Sequence, residues 1–156
     1  MPDEGTFASA RLPGHRAKLT GMNVDSAGLD VLSRQECLDL LSSATIGRIV
    51  FTDHALPAVQ PVTFCLDGEN IVIRTGTGSK LAAATRHTVV AFEIDDFDLL
   101  TRTGWSVTAV GRANAVSDPG QISRLARLPL TAWAPGEGNH FIVVRAEQVS
   151  GRRLRR

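Results

Sequence analysis

The chain has 156 residues, 43% hydrophobic and 21% charged, with a net charge of +1. That length supports one domain with a real core. The near-zero charge argues against a global field that would draw it to nucleic acid or an anionic membrane.

Residues 1–29 are rich in Gly, Ala, Ser, Pro and charge without a sustained period, which predicts a flexible arm ordered by a partner, if at all. They lack the continuous apolar stretch of a secretory signal, and no run in the chain approaches the length of a membrane-spanning helix. A cytoplasmic protein is expected. From residue 30 onward, DVLSRQECLDLLSSATIGRIVF pairs Ser33 with Glu36 as a capping box. Cys37, Leu38, Leu40 and Leu41 supply the apolar face of the helix that follows. Gly47 is read in a turn entering the first strand.

In ALPAVQPVTFCLDGENIVIRT, two strand-like runs flank Asp67-Gly68, a hairpin signal. Pro57 and Pro61 place part of the first run at an edge or bulge, because proline donates nothing to a ladder. Such an edge leaves backbone groups near Val62 and Thr63 open to a flat polar ligand. The loop of IRTGTGSKL comes next, then a short helix from near Ser79 and the strand TVVAFEID. The long strand GWSVTAVGRANAVSD contains Gly111 at an expected bulge or bend. PGQISRLARL opens a helix with Pro119 in its first turn. LTAWAPGEG is a loop, and HFIVVRAEQVSGRRL is read as one closing strand, its terminal arginines forming a solvated tail. Six strands and three short helices predict an antiparallel barrel, mainly β with short helices (α+β).

Catalytic constellations are scarce. His15, His54, His87 and His140 are scattered, with no metal-ligand spacing, and there is no Gly-x-Ser-x-Gly elbow. Cys37 and Cys65 lack a Cys-x-x-Cys pattern and read as reduced, buried thiols. Glu93, Asp95, Asp96 and Asp98 read as a solvated strand end. Any reactivity should come from a cofactor. The loop 73–81 is the best place for one, although it matches neither the Walker pattern nor the dinucleotide fingerprint. In a chain of fifteen arginines and two lysines, Lys80 falls here, where a compact charge suits phosphate. Ser79 sits at a helix N-cap position and Arg74 at the end of the preceding strand. An ordinary glycine-rich turn is the competing reading.

The ordered set Ile-Gly-Arg, Pro-Val, Thr-Gly-x-Gly-Ser-Lys, Phe-Glu-x-Asp and Gly-Trp-Ser-Val followed by Gly-Arg-Ala resembles the pyridoxamine 5'-phosphate oxidase-like family of flavin-binding split barrels, from about Leu32 to Leu154. The likeness is to its small actinobacterial-type members. It implies a six-stranded split barrel over residues 30–156 and a homodimer with cofactor clefts at the subunit interface. It also implies FMN, or a deazaflavin coenzyme, acting in hydride or electron transfer to a small-molecule substrate. Carried over, it places the cofactor phosphate on Arg74, Thr75, Ser79 and Lys80. The ring edge would meet Pro61, Val62 and Thr63, and Trp105 and Ser106 would come from the partner. The chain has no tyrosine and its C-terminal end differs from that of the oxidase, so true pyridoxamine phosphate oxidase activity is not expected. The alternative is a non-catalytic protein that binds or stores flavin, deazaflavin or haem. No metal site, nucleic acid or membrane partner is expected.

Overall fold

The computed structural model describes residues 23–133 and 135–156. Most of the expected flexible arm therefore lies outside the described residues. Residues 23–29 form a turn in which Asp25 Oδ1 accepts hydrogen bonds from the N–H groups of Ala27 and Leu29, at 2.8 and 3.0 Å.

The described chain runs β1 (Asp30–Val31), α1 (Arg34–Ser43), β2 (Ile46–Asp53), β3 (Leu56–Asp67), β4 (Asn70–Gly76), α2 (Lys80–Ala84), β5 (Thr88–Asp98), β6 (Thr103–Ala115), α3 (Pro119–Leu125), β7 (Glu137–Arg145) and β8 (Gln148–Leu154). The strand order is β1-β8-β6-β5-β2-β3-β4-β7, and a further β6–β7 pairing closes β2 to β7 into a six-stranded antiparallel ring. This is the expected split barrel, with β1 and β8 added outside the ring. The predicted closing strand is two strands, β7 and β8, separated by Ala146 and Glu147.

That division explains Gly111. Residues 113–115 of β6 pair with β7, whereas residues 104–110 pair with β8. Gly111 lies where the partner changes, and a Cβ there would overlap the Arg145 carbonyl. The β5–β6 register runs through it without a shift, so Gly111 serves close backbone passage rather than a bulge. Gly47 likewise lies within β2, not in a turn, because the Phe92 ring occupies the space of its missing side chain.

Strand alternation sends Ile49, Phe64, Phe92, Ile94, Val107 and Ile142 into the barrel core. Phe64 and Phe92 meet edge to face at 4.7 Å between ring centroids. The capping box of α1 forms as expected: Ser33 Oγ accepts from Glu36 N, and Ser33 N donates to Glu36 Oε2 at 2.8 Å. Cys37, Leu38 and Leu41 of the helix are buried. A smaller cluster of Val72, Leu125, Leu130 and Phe141 pins α3 and the chain after it against β4 and β7.

On the opposite, outer face of the sheet, α3 covers part of β4 and β7. By the same alternation, Val31, Ile46, Val59, Val89 and Phe97 all point there, and all are exposed. The terminal arginines do not form a solvated tail. Arg152 pairs with Asp25 at 2.9 Å, Arg153 with Glu36 at 3.6 Å and Arg155 with Asp30 at 2.6 Å.

Candidate functional site

A cavity of about 700 Å³ opens between β3, β4 and the chain following α3. Its first wall is the half of β3 that has no second neighbour. Residues 56–63 of β3 pair with β2, and pairing with β4 begins only at Phe64. Pro57 and Pro61 fix which backbone groups face which way. Lacking N–H groups, they occupy positions that do not bond across to β2, and Thr63 shares their parity. Phe64 N bonds to Thr45 O at 3.0 Å, consistent with that alternation. The backbone N–H of Thr63 therefore faces away from β2, on the free side of the strand. The Thr63 hydroxyl is also unusual. The residue is only 6% exposed, lines the cavity, and its Oγ1 has no hydrogen-bond partner among the described residues. A buried hydroxyl without a partner costs free energy that a ligand can recover.

The second wall is the end of β4 with its loop. Arg74, half-buried on β4, donates from Nε to Gly138 O, from one terminal nitrogen to Leu130 O and from the other to Asn139 Oδ1, each at 2.9 Å. Its guanidinium carbon lies 5.7 Å from the centre of the Phe141 ring. The second N–H of each terminal nitrogen has no partner among the described residues. Arg74 thus anchors the segment after α3 and still presents donors beside the cavity. The register with β7 slips between Thr75 and Gly76, which turns the chain out of the sheet. Gly78 then adopts φ +67°, a conformation that favours glycine. Ser79 caps α2, its Oγ accepting from Ala82 N at 3.3 Å, which leaves the hydroxyl proton for another acceptor. Thr77 Oγ1 and His140 Nε2 lie 3.0 Å apart and tie the loop to β7.

Of the nine residues singled out from sequence, Pro61, Val62, Thr63, Arg74, Thr75 and Ser79 converge on this cavity. Lys80 does not line it; it borders a separate cavity with Thr52, Asp53 and His54. Trp105 and Ser106 lie on β6, paired with Asp96 and Asp95 of β5. Trp105 packs partly against the core and lines a third depression with Arg153 and Asp98. The sequence reading missed Gln60, Leu81, Trp133 and Pro135 in the cavity lining. Trp133, 63% exposed, stands in a segment read only as loop, and nothing local to that segment tells where it folds. No metal-binding group of His, Cys, Asp or Glu occurs among the described residues.

Residues 33–153 match the family model described as pyridoxamine 5'-phosphate oxidase. The chain belongs to that family. Among the family's relatives, the uncharacterized protein Rv0080 of Mycobacterium tuberculosis is 40% identical over 128 residues, covering 79% of this chain and 84% of the relative. A solved FAD-binding protein from Mycobacterium smegmatis is 36% identical with a TM-score of 0.68, over 81% of this chain and 98% of that one. A second solved FAD-binding protein, from Mesorhizobium loti, is 23% identical with a TM-score of 0.64, over 81% of this chain and 99% of that one; at that identity the likeness speaks for the fold. The pyridoxamine 5'-phosphate oxidase family match thus covers the whole barrel and the cavity.

Proposed function

We propose that this protein is a flavin-dependent oxidoreductase that holds its flavin nucleotide in the cavity between β3, β4 and the segment after α3. The observation that carries the reading is the buried, partnerless Thr63 hydroxyl on the wall that also exposes free strand-edge backbone, across from Arg74. These residues fit a flavin. The Thr63 backbone and hydroxyl suit a flat, polar ring edge, and Val62, Leu81 and Trp133 offer apolar contact. The uncommitted N–H groups of Arg74, with the Thr75 and Ser79 hydroxyls, suit a phosphate. Lys80, one residue beyond, adds positive charge near that end.

A bound flavin supplies hydride and electron transfer. The chain's part is to bind and orient it and to limit water at the ring, with Arg74 fixing the segment that carries Trp133. FMN is the smallest ligand that meets these requirements. A deazaflavin coenzyme meets the same ones, and the Mycobacterium smegmatis relative brings FAD into consideration. Trp105 and Ser106 would reach the ligand only from a second copy, in a homodimer. The exposed apolar residues on the outer face of β1, β2, β3 and β5 support such a partner.

One observation favours the second reading, binding without turnover. Among the described residues, no carboxylate, histidine or cysteine lines the cavity, so a substrate proton would have to come from elsewhere. The same lining gives haem no axial ligand. An absorption spectrum of freshly purified protein, with mass spectrometry of the released ligand, tests the proposal. Flavin bands and oxidation of reduced nicotinamide are expected. Flavin bands without turnover with any donor favour the carrier, and failure to take up any flavin contradicts both.

A further inference from the structure

We propose that the turn joining β5 to β6 is a docking element for a second copy of this chain, with Leu99 and Leu100 seated in the mouth of that copy's cavity between β3 and β4. The proposal rests on the homodimer part of the reading above and specifies what closes the site. Leu99 and Leu100 are 88% and 93% exposed, so they touch almost nothing of their own chain. Yet the turn that carries them is held in one shape. Asp98 Oδ1 accepts from Leu100 N at 2.8 Å and from Thr101 N at 3.2 Å, and the hydroxyls of Thr101 and Thr103 lie 2.7 Å apart. Two neighbouring leucines held out to water on an ordered turn suit docking, because little backbone remains to be ordered on contact.

The strand register shows how far the turn projects. β5 pairs with β2 only from Ala91 to Glu93, and β2 begins at Ile46, level with Asp95 by that register. The ribbon of β5 and β6 therefore runs on to Leu99, about 13 Å beyond the start of β2. Ile46 lines the cavity, so the turn stands at the end of the barrel where the cavity opens. Phe97, whose ring fills the space beside Gly104, continues the exposed apolar outer face up to the turn. Trp105 pairs with Asp96, three residues before Leu99. A copy that brings Trp105 to its neighbour's ligand thus brings the turn within about 10 Å of it. Ile46, Pro61 and Val62 give the cavity an apolar wall for the leucines to meet. Charge at this end favours a protein over an anionic lipid surface. Arg153 and Arg155 are paired with Glu36 and Asp30, and Asp96 and Asp98 offset Arg102 and Arg156. With no surplus of positive charge, the turn has little to draw it to anionic headgroups.

The test is cross-linking of the full-length, flavin-free protein with a short bismaleimide, alongside sedimentation. Leu100→Cys and Ile46→Cys copies, expressed together, should give a covalent dimer that neither variant nor the natural sequence gives alone. Leu99→Ser combined with Leu100→Ser should weaken self-association by about tenfold or more while leaving the far-ultraviolet circular dichroism unchanged. A natural protein that sediments as a dimer but gives no mixed cross-link would overturn the docking turn and leave the homodimer standing. So would a covalent dimer of Leu100→Cys alone, which would set turn against turn, or binding to phosphatidylcholine vesicles that the double serine variant abolishes. A natural protein that sediments as a monomer would overturn the turn together with the homodimer. The mixed cross-link in a protein that takes up no flavin would uphold the docking turn and contradict only the flavin reading.

Discussion

Thr63 and Arg74 divide the work of the site. Thr63 carries an unmet hydrogen-bonding demand inside the cavity, and Arg74 spends three donors on the chain that borders it. This makes Thr63→Val an informative substitution, because it removes the hydroxyl with little change of shape. In the flavin-free protein it should raise stability by about 1 kcal/mol, since an unpaired buried polar group disappears. Flavin affinity should fall at the same time, by about 0.5–1.5 kcal/mol, the net worth of one hydrogen bond. Thermal unfolding and flavin titration of the same variant check the two opposite signs. Cys65, partly buried on β3, plays no part in this. Burial pushes its thiol above the usual range, with Asp67 nearby adding to the effect, so it is a poor nucleophile at neutral pH.

At the scale of elements, the first helix and the β3 edge were legible because their signals are local. A capping box lies within four residues, and two prolines mark a strand that cannot bond on both sides. Ser33→Ala should cost about 1 kcal/mol in urea unfolding. The Glu36 half of the box has its own signature. The Ser33 backbone N–H, and then its hydroxyl, hold the Glu36 carboxyl below its ordinary value of 4.5. Because the folded state favours the charged form, this contribution is complete above that value and fades as pH falls through the depressed one. Glu36→Gln should therefore flatten part of the acid limb of stability below about pH 5, measured by thermal unfolding at each pH. What the sequence did not disclose at this scale depends on non-local packing. The break between β7 and β8, the true reason for Gly111 and the burial of Leu130 against Val72 and Phe141 are set by chain segments distant in sequence. Gly111→Ala should cost at least about 3 kcal/mol in urea unfolding, because the added methyl meets backbone that cannot move aside.

For the whole molecule, the six-stranded ring places the free half of β3 beside the end of β4, and the cavity arises from that closure. The motif order was enough to anticipate the barrel, and six of the nine residues it singled out line one cavity. Lys80 turns toward a different cavity because it opens α2, one residue after the Ser79 cap. Trp105 and Ser106 stand apart from the cavity because β6 pairs with β5 and β8, not with β3. A homodimer through the exposed outer face of β2, β3 and β5 is the arrangement in which they would contribute. Val59→Asp, a charge on the exposed edge strand of that face, should shift sedimentation from dimer to monomer and weaken flavin binding with it. A protein that sediments as a monomer before any substitution would remove the partner from the account.

The central claim is that the cavity between β3 and β4 holds a flavin, and equilibrium titration of the full-length, flavin-free protein tests it most directly. The account predicts saturable binding of one flavin per chain, weakened by about tenfold or more in Arg74→Ala, where charge-assisted donors are lost. A protein that unfolds cooperatively yet binds neither FMN, FAD nor a deazaflavin coenzyme would contradict it.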